Sequence, residues 1–289
     1  MDVLFNQLFS GLSMASILLI IALGLAIIYG SMGVINLAHG EFVMLGAYAA
    51  WALQNFLGFS ILLALPFVFL AVGLVGWVIE RSIVQRLYDR PLDTILATWG
   101  IGIMLQQIVR ITLGSESRFV KGPEMLRGNI EIGQVVMSNY RIFVILFSLA
   151  VLMATWALLT KTEFGTKLRA VIQNRNISEC YGIQAEKVYS LTFAYGAGLA
   201  GIAGALITPL FSTIPTMGTG LVVDAFLVVI IGGLGSLLGA ATAAVLIGEA
   251  TALFSMIIND TLGRIAVLAC IILLIRLRPR GLFPENTRS

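Results

Sequence analysis

The first 79 residues of the chain contain no lysine or arginine, and only two acids, Asp2 and Glu41, interrupt a stretch of mainly Leu, Ile, Val, Ala, Phe and Gly. A water-soluble fold must cover itself with solvated charge, and this stretch has almost none to offer. It fits a chain whose solvent is lipid. The few polar residues inside it then become functional candidates, because each is costly to place there.

The rest of the sequence extends this reading. Of its 289 residues, 58% are hydrophobic and 11% charged, against about 25% charged in soluble domains. A span needs about 20 apolar residues at 1.5 Å per residue. Apolar runs fall at 12–30, 41–57, 60–79, 94–113, 141–160, 190–211, 221–241, 242–259 and 264–276. The runs are continuous rather than alternating, which excludes a membrane β-barrel. The expected fold is all-α: one polytopic transmembrane helical bundle over 1–289, with about eight to ten spans. The Gly-rich middle of 221–259 leaves room for a broken or re-entrant helix. Residues 1–11 lack the basic start of a signal peptide, so the first run is expected to stay as a span.

The net charge of +3 is not a nucleic-acid signal, because no basic patch is interleaved with exposed aromatics. Twelve of the 18 basic residues lie in one set of connections: Arg81, Arg86 and Arg90; Lys161, Lys167, Arg169, Arg175 and Lys187; Arg276, Arg278, Arg280 and Arg288. The other six are Arg110, Arg118, Lys121, Arg127, Arg141 and Arg264. The positive-inside rule then places the N-terminus outside and the C-terminus in the cytoplasm. Cys180 and Cys270 sit in different settings, with no metal spacing and no expected disulfide.

Two connections are long. Residues 114–140 hold Gly114, Gly122, Pro123, Gly128 and Gly133 and read as an external loop with room for a short hairpin. Residues 161–189 read as cytoplasmic. Phe164, Leu168, Val171 and Ile172 follow helical spacing, and a second short helix is expected from about Ile177 to Gly182. Such a stretch either lies on lipid or docks a cytoplasmic partner, and its size and polarity favour docking. Small residues also recur at packing intervals, at Gly196, Ala200 and Gly204, then Gly232, Gly233, Gly235 and Gly239. They allow backbones to approach closely in lipid, and their density suits helices that pivot.

Polar residues mark three places. GVINLAHGEFVMLGAY at 33–48 puts Asn36, His39 and Glu41 between two apolar runs. It fits a tight turn capping helix ends, a re-entrant segment lining a cavity, or a proton relay through the single histidine. RPLDTILATWGIGIMLQQIVR at 90–110 puts Thr98, Trp99, Gln106, Gln107 and Arg110 in one span, with Trp99, Gln106 and Arg110 on one face. Neutral hydrogen-bonding groups and a flat aromatic suit a small, planar, uncharged solute; interhelical hydrogen bonding explains them equally well. Asp224 reads as a helix-start acid near the interface, and Glu249 as a carboxyl facing the bundle interior.

No Walker A, H-E-x-x-H or G-x-S-x-G pattern occurs, so the chain has no ATP site of that kind and no recognisable hydrolase machinery. The residues are instead similar to a known family. GVINLAHGEFVMLGAY, the 222–239 stretch, TEFGTKLRAVIQNRNISECYGI at 162–183 and RPRGLF at 278–283 resemble, in that order, the LivH-type permeases of ABC importers for branched-chain amino acids and related solutes. Within the family, RPLDTILATWGIGIMLQQIVR resembles the urea-importer permease subunits. The resemblance implies an inner-membrane permease without its own ATPase site, translocating urea or, alternatively, branched-chain amino acids or short amides. It implies as partners a second homologous permease, two cytoplasmic ATPases that bind ATP and Mg, and a periplasmic substrate-binding protein. Asn36, His39, Glu41, Thr98, Trp99, Gln106 and Gln107 are the expected substrate path, and Lys167, Arg169, Arg175, Glu179 and Gly182 the expected ATPase coupling residues. The importer docking loop carries Glu-Ala-Ala followed by Gly; here Ser178, Glu179, Cys180, Tyr181 and Gly182 stand there with shorter spacing. A passive solute channel is the competing reading, and the long docking connection speaks against it.

Overall fold

The computed structural model describes residues 2–88, 90–132, 135–233, 235–277 and 282–283. Arg278, Arg280 and Arg288 of the basic count, residues 278–281 of the RPRGLF stretch, and Gly133 lie outside the described residues. Within them the chain is an all-α helical bundle with one small hairpin. The long helices are α1 (Asp2–Met32), α2 (His39–Leu57), α3 (Ile61–Ser82), α4 (Pro91–Leu113), α5 (Asn139–Lys161), α8 (Ala185–Ile207), α9 (Met217–Gly232), α10 (Leu237–Ile257) and α11 (Asp260–Leu277). Two short helices, α6 (Glu163–Gln173) and α7 (Arg175–Cys180), fill the 161–189 connection. Helices are the solution lipid demands, since each satisfies its own backbone hydrogen bonds. Six of them, α1, α3, α4, α5, α8 and α10, are long and apolar enough to cross a bilayer. The chain is therefore a multi-pass membrane protein.

Contacts define two ends. At the apical end, Gln7 donates to the Ala252 carbonyl (2.9 Å), Arg141 donates to Ser10 (2.6 Å), and the Val136 N–H donates to Asn6 (3.1 Å). The hairpin of β1 (Asn129–Ile132) and β2 (Val135–Ser138) lies here, antiparallel with Ile130 opposite Met137. The basal end holds α6, α7, the α3–α4 connection and the α9–α10 turn. The Leu282 N–H donates to the Ile231 carbonyl there (2.7 Å).

The break in 221–259 falls in its Gly-rich middle: α9 ends at Gly232 and α10 begins at Leu237, Gly233 and Gly235 adopt φ of +98° and +86°, and Ser236 caps the Gly239 N–H at 3.0 Å. Positive φ suits glycine and ends a helix. Asp224 is not a helix-start acid: α9 begins at Met217, so Asp224 lies two turns along it.

The centre of the bundle is a crossing of α1 and α8, the two most buried spans. A Cβ on Gly24 would strike the Gly196 carbonyl, and one on Gly196 the Gly24 carbonyl. A second reciprocal pair joins the first turns of α2 and α9. A Cβ on Gly40 would strike the Gly218 carbonyl, and one on Gly218 the Gly40 carbonyl. α3 packs along α8 while α10 packs along α1. The units α1–α2–α3 and α8–α9–α10 thus repeat one arrangement in opposite directions, the inverted topology of many transporters.

Candidate functional site

The site is built where α2 and α9 begin, well inside the bundle. α1 ends at Met32, and Gly33 turns the chain with φ +66°. Residues 34–38 then climb back along α1, so that the His39 ring reaches the Ile21 carbonyl at 3.0 Å. Ile21 lies eleven residues before the end of α1, about 16 Å along its axis. α2 therefore starts at membrane depth. The non-helical approach is tolerable because it is buried in protein.

Each polar residue of the approach has an assigned task. Asn36, with no exposed surface, accepts the Ala38 N–H through Oδ1 at 3.0 Å. Thr98 on α4, equally buried, accepts the Leu37 N–H at 3.2 Å and donates to the Thr94 carbonyl at 2.9 Å. His39 is also fully buried. A carbonyl only accepts, so Nε2 carries the proton toward Ile21 and Nδ1 is the free acceptor. Among the described residues Nδ1 has no partner. His39 pins α2 to α1; the backbone turn and the re-entrant approach are both present.

Glu41, in the first turn of α2, meets Gln106 of α4. Gln106 Nε2 donates to Glu41 Oε1 at 2.7 Å and to Thr219 Oγ1 of α9 at 3.1 Å. The Gln106 amide thus joins three elements, holding the Glu41 carboxyl of α2 and the Thr219 hydroxyl of α9 from α4. Gly102 leaves room for the carboxyl, since a Cβ there would lie 3.4 Å from Glu41 Cγ. Glu41 Oε2 is buried and has no partner among the described residues. It offers an acceptor to an N–H group of a solute.

Of the expected path residues, Asn36, His39, Glu41, Thr98 and Gln106 come together. Trp99 (58% exposed) and Gln107 lie on the outer side of α4. The reason is helical phase. The buried stripe of α4 runs through Thr94, Thr98, Ile101, Gly102 and Val109; Gln106 stands at its edge and reaches inward, while Trp99 and Gln107 stand beyond it. Thr219 was invisible in sequence, and its only cue is a hydroxyl between Gly218 and Gly220. Asp224 lines a separate cavity of about 790 Å³ between α1, α9, α10 and α11, together with Arg141 and Arg264.

The expected coupling residues gather at the basal end. Lys167 pairs with Glu163 at 3.3 Å, and Arg175 with Glu179 at 3.1 Å and Glu186 at 3.9 Å. The Glu179 hydrogen bond raises the Arg175 pKa further, so the guanidinium stays charged. Arg169 donates to the Leu159 carbonyl near the end of α5, and Gly182 ends the α7 turn with φ +83°. The apolar side of α6 is not left for lipid. Leu168 and Val171 pack with Ala185, Val188 and Tyr189 in a second small core. Ile172, Ile177 and Tyr181 stay exposed beside the charges. Of the remaining expected packing glycines, Gly233 and Gly235 form the turn after α9, and Gly204, Gly232 and Gly239 sit at close backbone approaches. A Cβ on Gly204 would strike the Val43 carbonyl of α2, and Gly232 and Gly239 approach each other backbone to backbone.

The bundle, the inverted halves and the membrane-depth helix starts define a multi-pass membrane permease. The family model of the branched-chain amino acid transport system permease component matches residues 7–275, and the chain belongs to that family. It is a permease component of a transport system and not an enzyme. The high-affinity branched-chain amino acid transport system permease protein BraD of Pseudomonas aeruginosa is 28% identical over 96% of this chain and 94% of its own length. The corresponding permease protein LivH of Escherichia coli K12 shows the same identity and coverage. LivM of Salmonella typhimurium is 25% identical over 94% of this chain and 69% of its own length. No solved structure matches the chain.

Proposed function

We propose that the chain is a membrane subunit of an ABC importer in the bacterial inner membrane, carrying a branched-chain amino acid or short amide. One observation supports this above the others. Two helices that begin at membrane depth meet at Gly40 and Gly218, and beside them Glu41, Gln106 and Thr219 present one hydrogen-bonding cluster. Transporter cargo sites are built at such starts between inverted halves. The relatives' names favour branched-chain amino acids as cargo. Urea is the second reading, supported by the uncharged Gln106 Oε1 acceptor and the Thr219 hydroxyl and by the resemblance of residues 90–110 to urea-importer subunits.

In this reading the basal end is cytoplasmic. Lys167, Arg175, Glu179 and the exposed Ile172, Ile177 and Tyr181 receive an ATPase, one of two. A second homologous permease completes the pore, and a periplasmic binding protein delivers the cargo to the apical end. Closure of the ATPases pivots α2 and α9 at their glycine crossings, which exposes Glu41 alternately to each side. Cargo shifts that equilibrium only by binding one state better.

Competitive uptake of leucine against urea, in cells with and without the chain, decides the cargo. In the same assay Gln106→Leu is expected to lower uptake about tenfold or more, the effect of losing a hydrogen bond to a charged group. Gln107→Leu is expected to leave it near wild type. Equal effects of the two substitutions would remove Gln106 from the path. Uptake by this chain without any ATPase would establish the channel reading instead.

A further inference from the structure

Above the Glu41 cluster, three buried polar groups have no partner among the described residues. Tyr48 and Thr213 are 3% and 0% exposed, and neither hydroxyl is engaged; nor is Arg118 Nε. They belong to one place. Arg118 and Thr213 exchange backbone hydrogen bonds at 2.9 and 2.8 Å, and the Arg118 guanidinium lies 4.7 Å from the Trp51 ring, which stands three residues beyond Tyr48 on α2. Tyr48 and Trp51 share α2 with Glu41, and Tyr48 is seven residues further on, about 10 Å along the axis. Met44 and Val109 fill the space around Tyr48.

We propose that Tyr48, Arg118 and Thr213 form an outer cargo subsite that receives a carboxylate or carbonyl oxygen. The proposal rests on reading Glu41, Gln106 and Thr219 as the inner cargo site. Its chemistry is the converse of that site. All three outer groups carry a hydrogen to donate, whereas Glu41 Oε2 only accepts as a carboxylate. Arg118 donates through Nη2 to the Leu113 carbonyl at 2.8 Å, but it takes part in no ion pair within 4 Å among the described residues, so its Nε–H and its charge remain for an oxygen. An amino acid and urea both present an oxygen end and an N–H end. At about 10 Å apart, the two subsites hold a small solute in succession, oxygen end first. A strap ties the connection after α4 to α2, six residues beyond Tyr48: Gln54 Nε2 donates to the Lys121 carbonyl at 2.9 Å, and the Lys121 N–H donates to Gln54 Oε1 at 2.7 Å.

The test uses the complete importer in proteoliposomes, with Cys180→Ser and Cys270→Ser as background and either Thr213→Cys or Thr219→Cys added. An impermeant thiol reagent is applied with and without leucine or urea. Cargo is expected to slow labelling at 213 about tenfold, and Arg118→Gln to abolish that protection. Protection by leucine alone assigns a carboxylate, and protection by urea a carbonyl. Protection at 219 but not at 213 overturns the outer subsite and leaves the inner site standing; protection at neither overturns both. A position 213 that stays unreachable after Gln54→Ala loosens the strap also overturns it. Should the 213 variant not assemble, Tyr48→Phe combined with Arg118→Gln is expected to lower uptake at low cargo concentration about tenfold, and uptake near wild type overturns the proposal.

Discussion

At the scale of single residues, His39 is the sharpest lesson. A lone histidine at membrane depth invites a proton-relay reading, and its Nε2 hydrogen bond to the Ile21 carbonyl at 3.0 Å gives it a task of its own, fastening α2 to α1. A glutamine side chain also carries an N–H at the end of a comparable reach. His39→Gln is therefore expected to keep most of the thermal stability and uptake, whereas His39→Ala loses the bond and leaves a cavity. Thermal unfolding in detergent should then show a loss of about 2–4 kcal/mol for the alanine variant. Equal stability of His39→Ala and wild type would contradict the fastening role. Glu41 and Gln106 were legible as polar residues in apolar runs, because the cost of burying them shows in composition alone. Thr219 was not, since a threonine is cheap to place anywhere in a helix and gives no such signal.

At the scale of elements, the close crossings make glycine a requirement rather than a preference. Gly40 and Gly218 each face the other's carbonyl, so Gly40→Ala or Gly218→Ala must push α2 and α9 apart. Each single substitution is expected to reduce the folded, complex-assembled fraction severely. Gly100→Ala, at a position with nothing within 4 Å, is expected to be tolerated. Size-exclusion profiles of the three variants check this, and indistinguishable profiles would refute it. The expected hairpin and the two short helices of 161–189 were readable from spacing and turn residues. The end of α9 was readable only to within the Gly-rich middle of 221–259, because an apolar run continues through the glycines and φ alone fixes where the helix stops. The basal second core adds a link of its own. Tyr88, whose phenol is raised above its ordinary pKa by burial, donates to the fully buried Glu80 of α3, and its ring packs edge-on to Tyr189 at 5.4 Å. That link ties the base of α3 and the start of α4 to the α6–α8 platform.

At the scale of the whole molecule, the proposed coupling places the energy source outside this chain. Charge reversal at Lys167 and Arg175 is expected to leave the permease folded and to cut uptake per ATP hydrolysed several-fold. These side chains are held only by exposed pairs on their own surface, worth little to stability. Arg169 is a poor choice for that experiment, because its guanidinium holds the Leu159 carbonyl of α5. Measuring ATPase turnover and uptake on the same reconstituted sample checks the ratio, and an unchanged ratio would place docking elsewhere. The inverted halves could not be read from the chain. α1 and α8 share a path through space without a shared motif, and symmetry of packing leaves little trace in a sequence where most positions need only be apolar.

The amino-acid sequence alone determined that this is a lipid-embedded helical protein, since continuous apolar runs without charge have no other stable state, and it also marked the rare polar residues that had to be explained. Only the tertiary structure decided which of those residues meet. Helical phase turned Trp99 and Gln107 outward and Gln106 inward, and the glycine crossings brought Thr219 to the Gln106 amide that holds Glu41, from 113 residues away. Burial cost is a property of each residue and shows locally, whereas convergence depends on how close two backbones come.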